Sequence, residues 1–394
     1  MSELIGVYGG TFDCPTKGHL QVIKKACTVF DKLYVVVATA PGKTTMFDPD
    51  MRKELLMDTI PMELWWDEYQ DTQVEIVTLP EGVYLATYAK QLEADFLVRG
   101  LRDAFDFHYE YNIYQTNKRI EDQIETIYLM PSEELSLVSS SWVKGLMGHN
   151  GWRKVVKPYV SEKTLFELAK EYARMRFYAL AETKDLGLKD NGDWDTDDVW
   201  NDCFLKQLKT NTYHNVFHVL DCLEAMDMYY KRDPVMEFAF WMHDVVDSVD
   251  ESITIACNAL KCSTLGVDER VVKMIKATKH TESMTGKYET EDEQIFASID
   301  LLCLGRSSKV FFNHFESLYE EYRRAVFEEY LAMGGKDEIT FRKEWSKGRA
   351  NFAKAMLARD QIYPWKRLRD KFEAQAISNL ATELESLELI KISP

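Results

Sequence analysis

The stretch Leu4-Ile5-Gly6-Val7-Tyr8-Gly9-Gly10-Thr11-Phe12-Asp13-Cys14-Pro15-Thr16-Lys17-Gly18-His19 decides how the first part of the chain folds. Its opening five residues are apolar, aromatic or small and predict a strand. Gly9-Gly10 breaks that run, and a segment of helical length follows over 18–30. The same alternation continues. Strand-like runs fall at 33–39, 74–79, 95–98 and 125–130, and helical segments at 49–60, 83–93 and 104–119. Strands alternating with helices predict a parallel sheet covered by helices, and ligands of such sheets collect at the carboxyl ends of the strands. Gly9-Gly10 stands at such an end, and His19 opens the next helix.

Beyond this region the pattern changes. Residues 161–182 carry Leu165, Leu168, Ala169, Tyr172 and Met175 at helical spacing, and 183–198 are rich in Asp with Gly187 and Gly192. From about 199 the chain is nearly all helical in pattern. The expected organisation is an α/β Rossmann-like domain over 1–160, a helix and acidic linker over 161–198, and an all-α domain over 199–388. A length of 394 residues fits two or three domains. The net charge of −17 argues against non-specific attraction to nucleic acid or an anionic membrane. Small anions need only a local basic pocket, for which Lys43, Arg99 and Arg102 are candidates. The seven cysteines form no CxxC pair and predict reduced, buried thiols in a cytoplasmic protein. The first ten residues lack a secretory pattern, and no apolar run is long enough to span a membrane.

Residues of the first region suit phosphate chemistry. Gly9-Gly10-Thr11 brings backbone close to phosphate without a Cβ in the way. His19 sits where free N–H groups and the helix dipole favour anions. Arg99 and Arg102 offer planar donor forks. Ser139-Ser140-Ser141 precedes a second helix start with hydroxyl donors. Singly, each has a bland reading as a turn, a structural imidazole, a surface pair or a loop; their order along an alternating α/β pattern points to a held triphosphate.

The helical region holds a second constellation. His214 and His218 are four apart and share a helix face. His243-Asp244 follows the apolar run Phe238–Met242, and Asp300 follows Ile295–Ile299. Two His and two Asp brought together by helices suit a hard or borderline divalent metal.

Two resemblances carry these readings further. Residues 4–160 resemble phosphopantetheine adenylyltransferase, of the nucleotidyltransferase superfamily. The resemblance rests on Thr16-Lys17-Gly18-His19, on the run from Arg99-Gly100-Leu101-Arg102 to Glu110 with Asn117-Lys118-Arg119, and on Met130-Pro131-Ser132-Glu133-Glu134 followed by Ser139–Lys144. It implies ATP at Thr11, Phe12, His19, Gly100, Arg102, Glu110 and Ser139–Ser141, with Mg²⁺ on the triphosphate. His19 would stabilise the transition state. Lys43 and Arg99 would hold the phosphate of 4′-phosphopantetheine, which attacks ATP to give dephospho-coenzyme A and pyrophosphate. The family's Pro after Thr-Phe-Asp is Cys14 here, 61–73 add length, and 80–84 do not match its pantetheine pocket. Nicotinamide mononucleotide or another phosphate monoester therefore stays open as acceptor. Residues 195–388 resemble HD-superfamily phosphohydrolases, through Tyr213-His214-Asn215-x-x-His218, His243-Asp244, Asp300, Lys347-Gly348-Arg349 and Asn379-Leu380. That likeness implies His218, His243, Asp244 and Asp300 as ligands of Mn²⁺, Mg²⁺, Fe²⁺ or Zn²⁺, and His214 as general acid. Glu251 and His280 are further candidates for a second metal. The two together imply a bifunctional enzyme and a homo-oligomer. A rival reading leaves catalysis to the helical half, with the first domain as a nucleotide sensor.

Overall fold

The computed structural model describes all residues except 1–2, 40–41, 61–71, 103, 184–185, 187–195, 206–211, 247, 261–266, 281–287 and 391–394. Most of the inserted segment 61–73 and of the acidic linker thus lies outside the described residues. The chain divides into two compact units, Met1–Tyr172 and Ala173–Pro394.

The first unit is a five-stranded parallel sheet of order β3-β2-β1-β4-β5. Its strands are β1 (Ile5–Gly10), β2 (Lys32–Val37), β3 (Gln73–Thr78), β4 (Phe96–Gly100) and β5 (Glu125–Leu129). The crossovers run through α1 (Lys17–Cys27), α2 (Pro49–Thr59), α3 (Leu85–Gln91) and α4 (Ala104–Ile120). After β5 come α5 (Ser140–Leu146), α6 (Trp152–Val156) and α7 (Glu162–Ala181).

Strand residues alternate between two cores, as a period of two requires. Tyr8, Val35, Val37 and Val98 pack on one face with Val22, Ile23 and Ala26 of α1 and Leu56 of α2. Val7, Val36 and Leu97 pack on the other with Ala86 and Ala89 of α3. β1 runs two residues beyond the sequence expectation, because its ladder to β2 continues to Gly10 opposite Val37. Connections leave β1 towards β2 and return at β4 on its other side. The carboxyl ends of β1 and β4 are therefore the switch point where this class of sheet opens a crevice.

The second unit is largely helical. Its main elements are α8 (Val216–Tyr229), α9 (Pro234–Met242), α10 (Val249–Ala259), α11 (Val267–Lys276), α12 (Glu291–Asp300), α13 (Ser308–Ala332), α14 (Glu338–Leu357) and α15 (Lys366–Ile390). Asn215 caps α8 through Phe217 N at 2.9 Å, and Asp233 caps α9 through Val235 and Met236 N, each at 3.0 Å. α9 is apolar on every side and is buried along Val235–Met242, as such a sequence demands. Its one carboxylate, Glu237, has no exposed surface and is held by Arg176 at 2.6 Å and Arg232 at 3.1 Å. Phe240 of α9 stacks on Phe296 of α12 at 4.1 Å, which locks together the two helices that carry His243-Asp244 and Asp300. Among the described residues no helix is long and apolar enough to cross a membrane. The described cysteines 14, 27, 222, 257 and 303 are free.

Candidate functional site

A cleft of about 260 Å³ opens at the switch point of the first unit. Thr11, Phe12, His19, Lys43, Arg99, Gly100, Arg102 and Ser139–Ser141 all line it. Nine of the ten residues expected to bind ATP or acceptor are thus brought together with His19. Glu110 is not among the lining residues. It stands behind Arg99, with its two oxygens 2.6 Å from Nε and 2.6 Å from Nη2. Arg99 Nη1 also donates to Gly9 O at 2.9 Å. A guanidinium has five N–H donors; these three bonds leave two for a ligand. Arg102 is steadied by Asp106, Nε to Oδ2 at 2.7 Å. Lys43 Nζ lies 3.0 Å from Thr11 Oγ1.

His19 is the third residue of α1. Its Nδ1 accepts from Thr16 N at 3.0 Å. That bond assigns the proton of the neutral ring to Nε2. Burial, and then the nearby Arg102 charge, pull its pKa down to about 4. The imidazole is therefore neutral at physiological pH and offers one fixed N–H.

Gly9 and Gly10 also meet a packing demand that the sequence does not show. A Cβ on Gly9 would lie 2.3 Å from Leu85 Cδ2, and one on Gly10 would lie 2.7 Å from Phe12 Cζ. Close packing accounts for both glycines before any phosphate arrives. Phe12 turns back over Gly10 with φ of 50°, which few bulky residues adopt. Its ring meets Tyr8 and His19 edge-on, at 5.4 and 5.2 Å.

Several loop ties had no local signal in sequence. Arg52 is completely buried and donates to Thr11 O at 2.7 Å, Ala38 O at 3.3 Å and Thr39 Oγ1 at 2.6 Å. Asp13, also buried, accepts from Phe47 N at 3.0 Å, from Met46 N and from Lys144 Nζ. Burial alone would push its carboxyl up; the Lys144 and backbone donors bring it below the usual carboxylate range. Ser140 Oγ donates to Cys14 O at 2.6 Å, and Ser139 Oγ accepts from Trp142 N at 3.1 Å. The Ser140 hydroxyl proton is thereby committed within the fold, while Ser139 Oγ serves as the N-cap acceptor of α5. The start of α5 sets backbone N–H groups beside the remaining serine hydroxyls.

In the second unit, His218, His243, Asp244 and Asp300 present ligand atoms that all lie within 4.8 Å of one another. His218 Nε2 is 3.3 Å from His243 Nε2, 3.4 Å from Asp244 Oδ2 and 3.3 Å from Asp300 Oδ1. His243 Nε2 is 2.9 Å from Asp244 Oδ2 and 3.4 Å from Asp300 Oδ1. Such spacings suit atoms that share a centre about 2.0–2.2 Å from each. His243 Nδ1 is 2.9 Å from Phe240 O. Donation there leaves the Nε2 lone pair facing the cluster, the arrangement ligating histidines need. Burial on its own lowers the proton affinity of His243; Asp244 and Asp300 raise it well above the ordinary value. The four groups together call for positive charge, and a divalent cation fits them.

His214 stands beside this set, its Nε2 4.0 Å from Asp244 Oδ2. Its Nδ1 is 2.6 Å from Glu321 Oε1, while Glu321 Oε2 accepts from Tyr213 N at 2.7 Å and His214 N at 2.9 Å. Glu321 lies 107 residues away on α13 and had no signal in the spacing of the motif. Glu251 is exposed and outside the cluster. His280 bonds to the far oxygen of Asp300, Nε2 to Oδ2 at 2.9 Å.

Comparison with known proteins reaches the first unit. Residues 7–146 match the cytidylyltransferase-like family. Phosphopantetheine adenylyltransferase of Neisseria meningitidis serogroup C is 34% identical over 166 residues, 42% of this chain and 92% of that protein. The Chromobacterium violaceum protein of the same name is 34% identical over 167 residues, 96% of its length. That of Francisella tularensis subsp. mediasiatica is 34% identical over 170 residues, 98% of its length. A solved Plasmodium falciparum nicotinic acid mononucleotide adenylyltransferase, complexed with NaAD, has 15% identity and a TM-score of 0.32, covering 43% of this chain and 96% of that one. The matched region is thus of the cytidylyltransferase-like class. Through it the chain belongs to the phosphopantetheine adenylyltransferase family, and a nucleotidyltransferase activity has the support of these relatives.

Proposed function

We propose that the chain is a bifunctional enzyme, with a nucleotidyltransferase domain over 1–160, a helix and acidic linker over 161–198 and a metal-dependent phosphohydrolase domain of the HD type over 199–388. The first half transfers AMP from ATP to 4′-phosphopantetheine. The observation that carries this is the neutral His19, with Nε2–H as its free donor, in a cleft lined by Lys43, Arg99 and Arg102. An acceptor phosphate oxygen already bears negative charge, so attack on the α-phosphorus needs no protein base. Pyrophosphate leaves, and charge that grows on the α-phosphate oxygens meets the His19 N–H and backbone donors at the starts of α1 and α5. Thr11, Phe12, Gly100, Arg102 and Ser139–Ser141 hold ATP with its Mg²⁺; Lys43 and Arg99 hold the acceptor phosphate, with Glu110 orienting Arg99. Nicotinamide mononucleotide remains the alternative acceptor.

In the second half, His218, His243, Asp244 and Asp300 would hold a divalent cation, which when bound activates water and polarises a phosphoryl group. His214 protonates the leaving oxygen from Nε2, and Glu321, which accepts from Nδ1, orients the ring and supports the imidazolium that this step requires. The ligand-atom spacing of 2.9–3.4 Å around His243 is what favours this reading. Its substrate class is a nucleotide or related phosphate ester. The protein works in the cytoplasm as a homo-oligomer.

The test is mass spectrometry of products formed from ATP, Mg²⁺ and 4′-phosphopantetheine by the Asp244→Ala full chain. Dephospho-coenzyme A with pyrophosphate is expected. Absence of both, with product appearing from nicotinamide mononucleotide, would replace the acceptor; absence with either would leave the sensor reading.

A further inference from the structure

His280 follows α11, on the rim of the proposed metal centre, and the ligand set does not use it. Two roles would place an imidazole nitrogen 2.9 Å from a carboxylate oxygen. His280 could ligate a second cation that shares Asp300, or it could donate a proton to Asp300. The two differ in which ring nitrogen carries hydrogen, and the surroundings of the other nitrogen tell them apart.

A metal-ligating histidine almost always donates its second ring N–H to a carbonyl, carboxylate or water. His243 does this, with Nδ1 2.9 Å from Phe240 O. His280 does not: its Nδ1 is buried and has no partner among the described residues. Were Nε2 a ligand, Nδ1 would carry the hydrogen, as a buried donor with nothing to receive it. Such orphaned donors are rarer in folded proteins than under-satisfied acceptors. With the hydrogen on Nε2, Nδ1 is a bare acceptor and Asp300 Oδ2 receives a bond of normal length. Nor do other ligands gather around His280. Among the described residues no group of three or more His, Cys, Asp or Glu side chains includes it. Its backbone is held as well, since Arg359 donates to its carbonyl.

We infer that His280 is a positioning residue of a one-ion centre: its Nε2–H occupies Asp300 Oδ2, so that Asp300 gives the cation Oδ1 alone. The inference rests on the reading of His218, His243, Asp244 and Asp300 as ligands. It assigns the site a single cation, and it makes Asp300 a one-oxygen ligand turned towards His218 and His243, 3.3 and 3.4 Å away.

The experiment is titration of chelator-stripped full chain with Mn²⁺, following bound ion by electron paramagnetic resonance and heat. Wild type, His280→Ala, His280→Gln and Asp244→Ala are compared, with thermal melts to establish that each is folded. Wild type should bind one Mn²⁺ at this centre. His280→Ala should bind one ion with affinity about 10–100-fold weaker. His280→Gln, which restores an amide donor, should recover most of the loss. Two ions in wild type with one lost in His280→Ala would overturn the inference and make His280 a ligand. Equal affinity in wild type and His280→Ala would overturn it too. No uptake by wild type, with Asp244→Ala indistinguishable from it, would instead remove the metal reading on which the inference stands.

Discussion

At the scale of the residue, His19 shows how a backbone bond sets chemistry. Thr16 N fixes its tautomer, and burial with Arg102 brings its pKa from 6.5 to about 4. Between those values the unfolded chain binds a proton that the folded chain refuses. The contribution of His19 to stability is therefore complete above about pH 6.5 and is lost as pH falls towards 4. Transfer rates should stay flat through the ordinary histidine range, and His19→Ala should lower kcat by about 10²–10³-fold with little change in melting temperature. A rate that falls with a midpoint near 6.5 would show that the charge state assigned here is wrong. Glu110→Gln tests the second layer of the cleft: with Arg99 freed to rotate, KM for the acceptor should rise about 10-fold while kcat changes less. Glu321→Gln should slow phosphoester hydrolysis about 10²-fold, yet leave Mn²⁺ affinity as in wild type. Weaker Mn²⁺ binding in that variant would mean that Glu321 shapes the metal cluster rather than His214.

At the scale of the element, Gly9 and Gly10 are where β1 gives up side chains so that Leu85 and Phe12 can fill the space. Gly9→Ala should destabilise the fold by about 1–3 kcal/mol, and Leu85→Ala added to it should recover part of that loss in thermal melts. No recovery would mean that the strand itself, rather than the contact, resists the methyl group. Strand and helix positions were legible because Val7, Val36 and Leu97 alternate with Tyr8, Val35 and Val98, and because α9 is apolar throughout. The triple serine was legible as a helix start, but the tie of Ser140 to Cys14 was not. Arg52 was invisible: in the run 49–60 it reads as an ordinary exposed helix residue, and only the fold brings its guanidinium to three oxygens. Glu321 was invisible for a related reason, since no periodicity links α13 to the loop before α8. The clustering of His218, His243, Asp244 and Asp300 was legible because each lies at or near the end of an apolar helix that must be buried.

At the scale of the whole molecule, a chain of net charge −17 carries a basic cleft, so attraction of anionic substrates is local rather than global. The cleft and the His/Asp cluster draw on separate residues in separate units. Asp244→Ala should leave transfer kinetics within about twofold of wild type, and His19→Ala should leave hydrolysis equally untouched; cross-effects in steady-state assays would reveal coupling. Phe107, Tyr109 and Tyr111 expose 52%, 66% and 48% of their surface along α4. These exposed aromatic rings are where self-association is expected, and Tyr111→Lys should reduce the mass seen by light scattering. The ties from Arg52, Asp13 and Ser140 have a bearing outside catalysis. They fix the rim of the cleft through bonds internal to the fold, so an inhibitor would meet a finished mould instead of having to induce one. Fragment screens against the apo chain should then return binders that hold their pose and selectivity in the substrate-loaded enzyme's competition assays, and rigid scaffolds should outperform flexible ones.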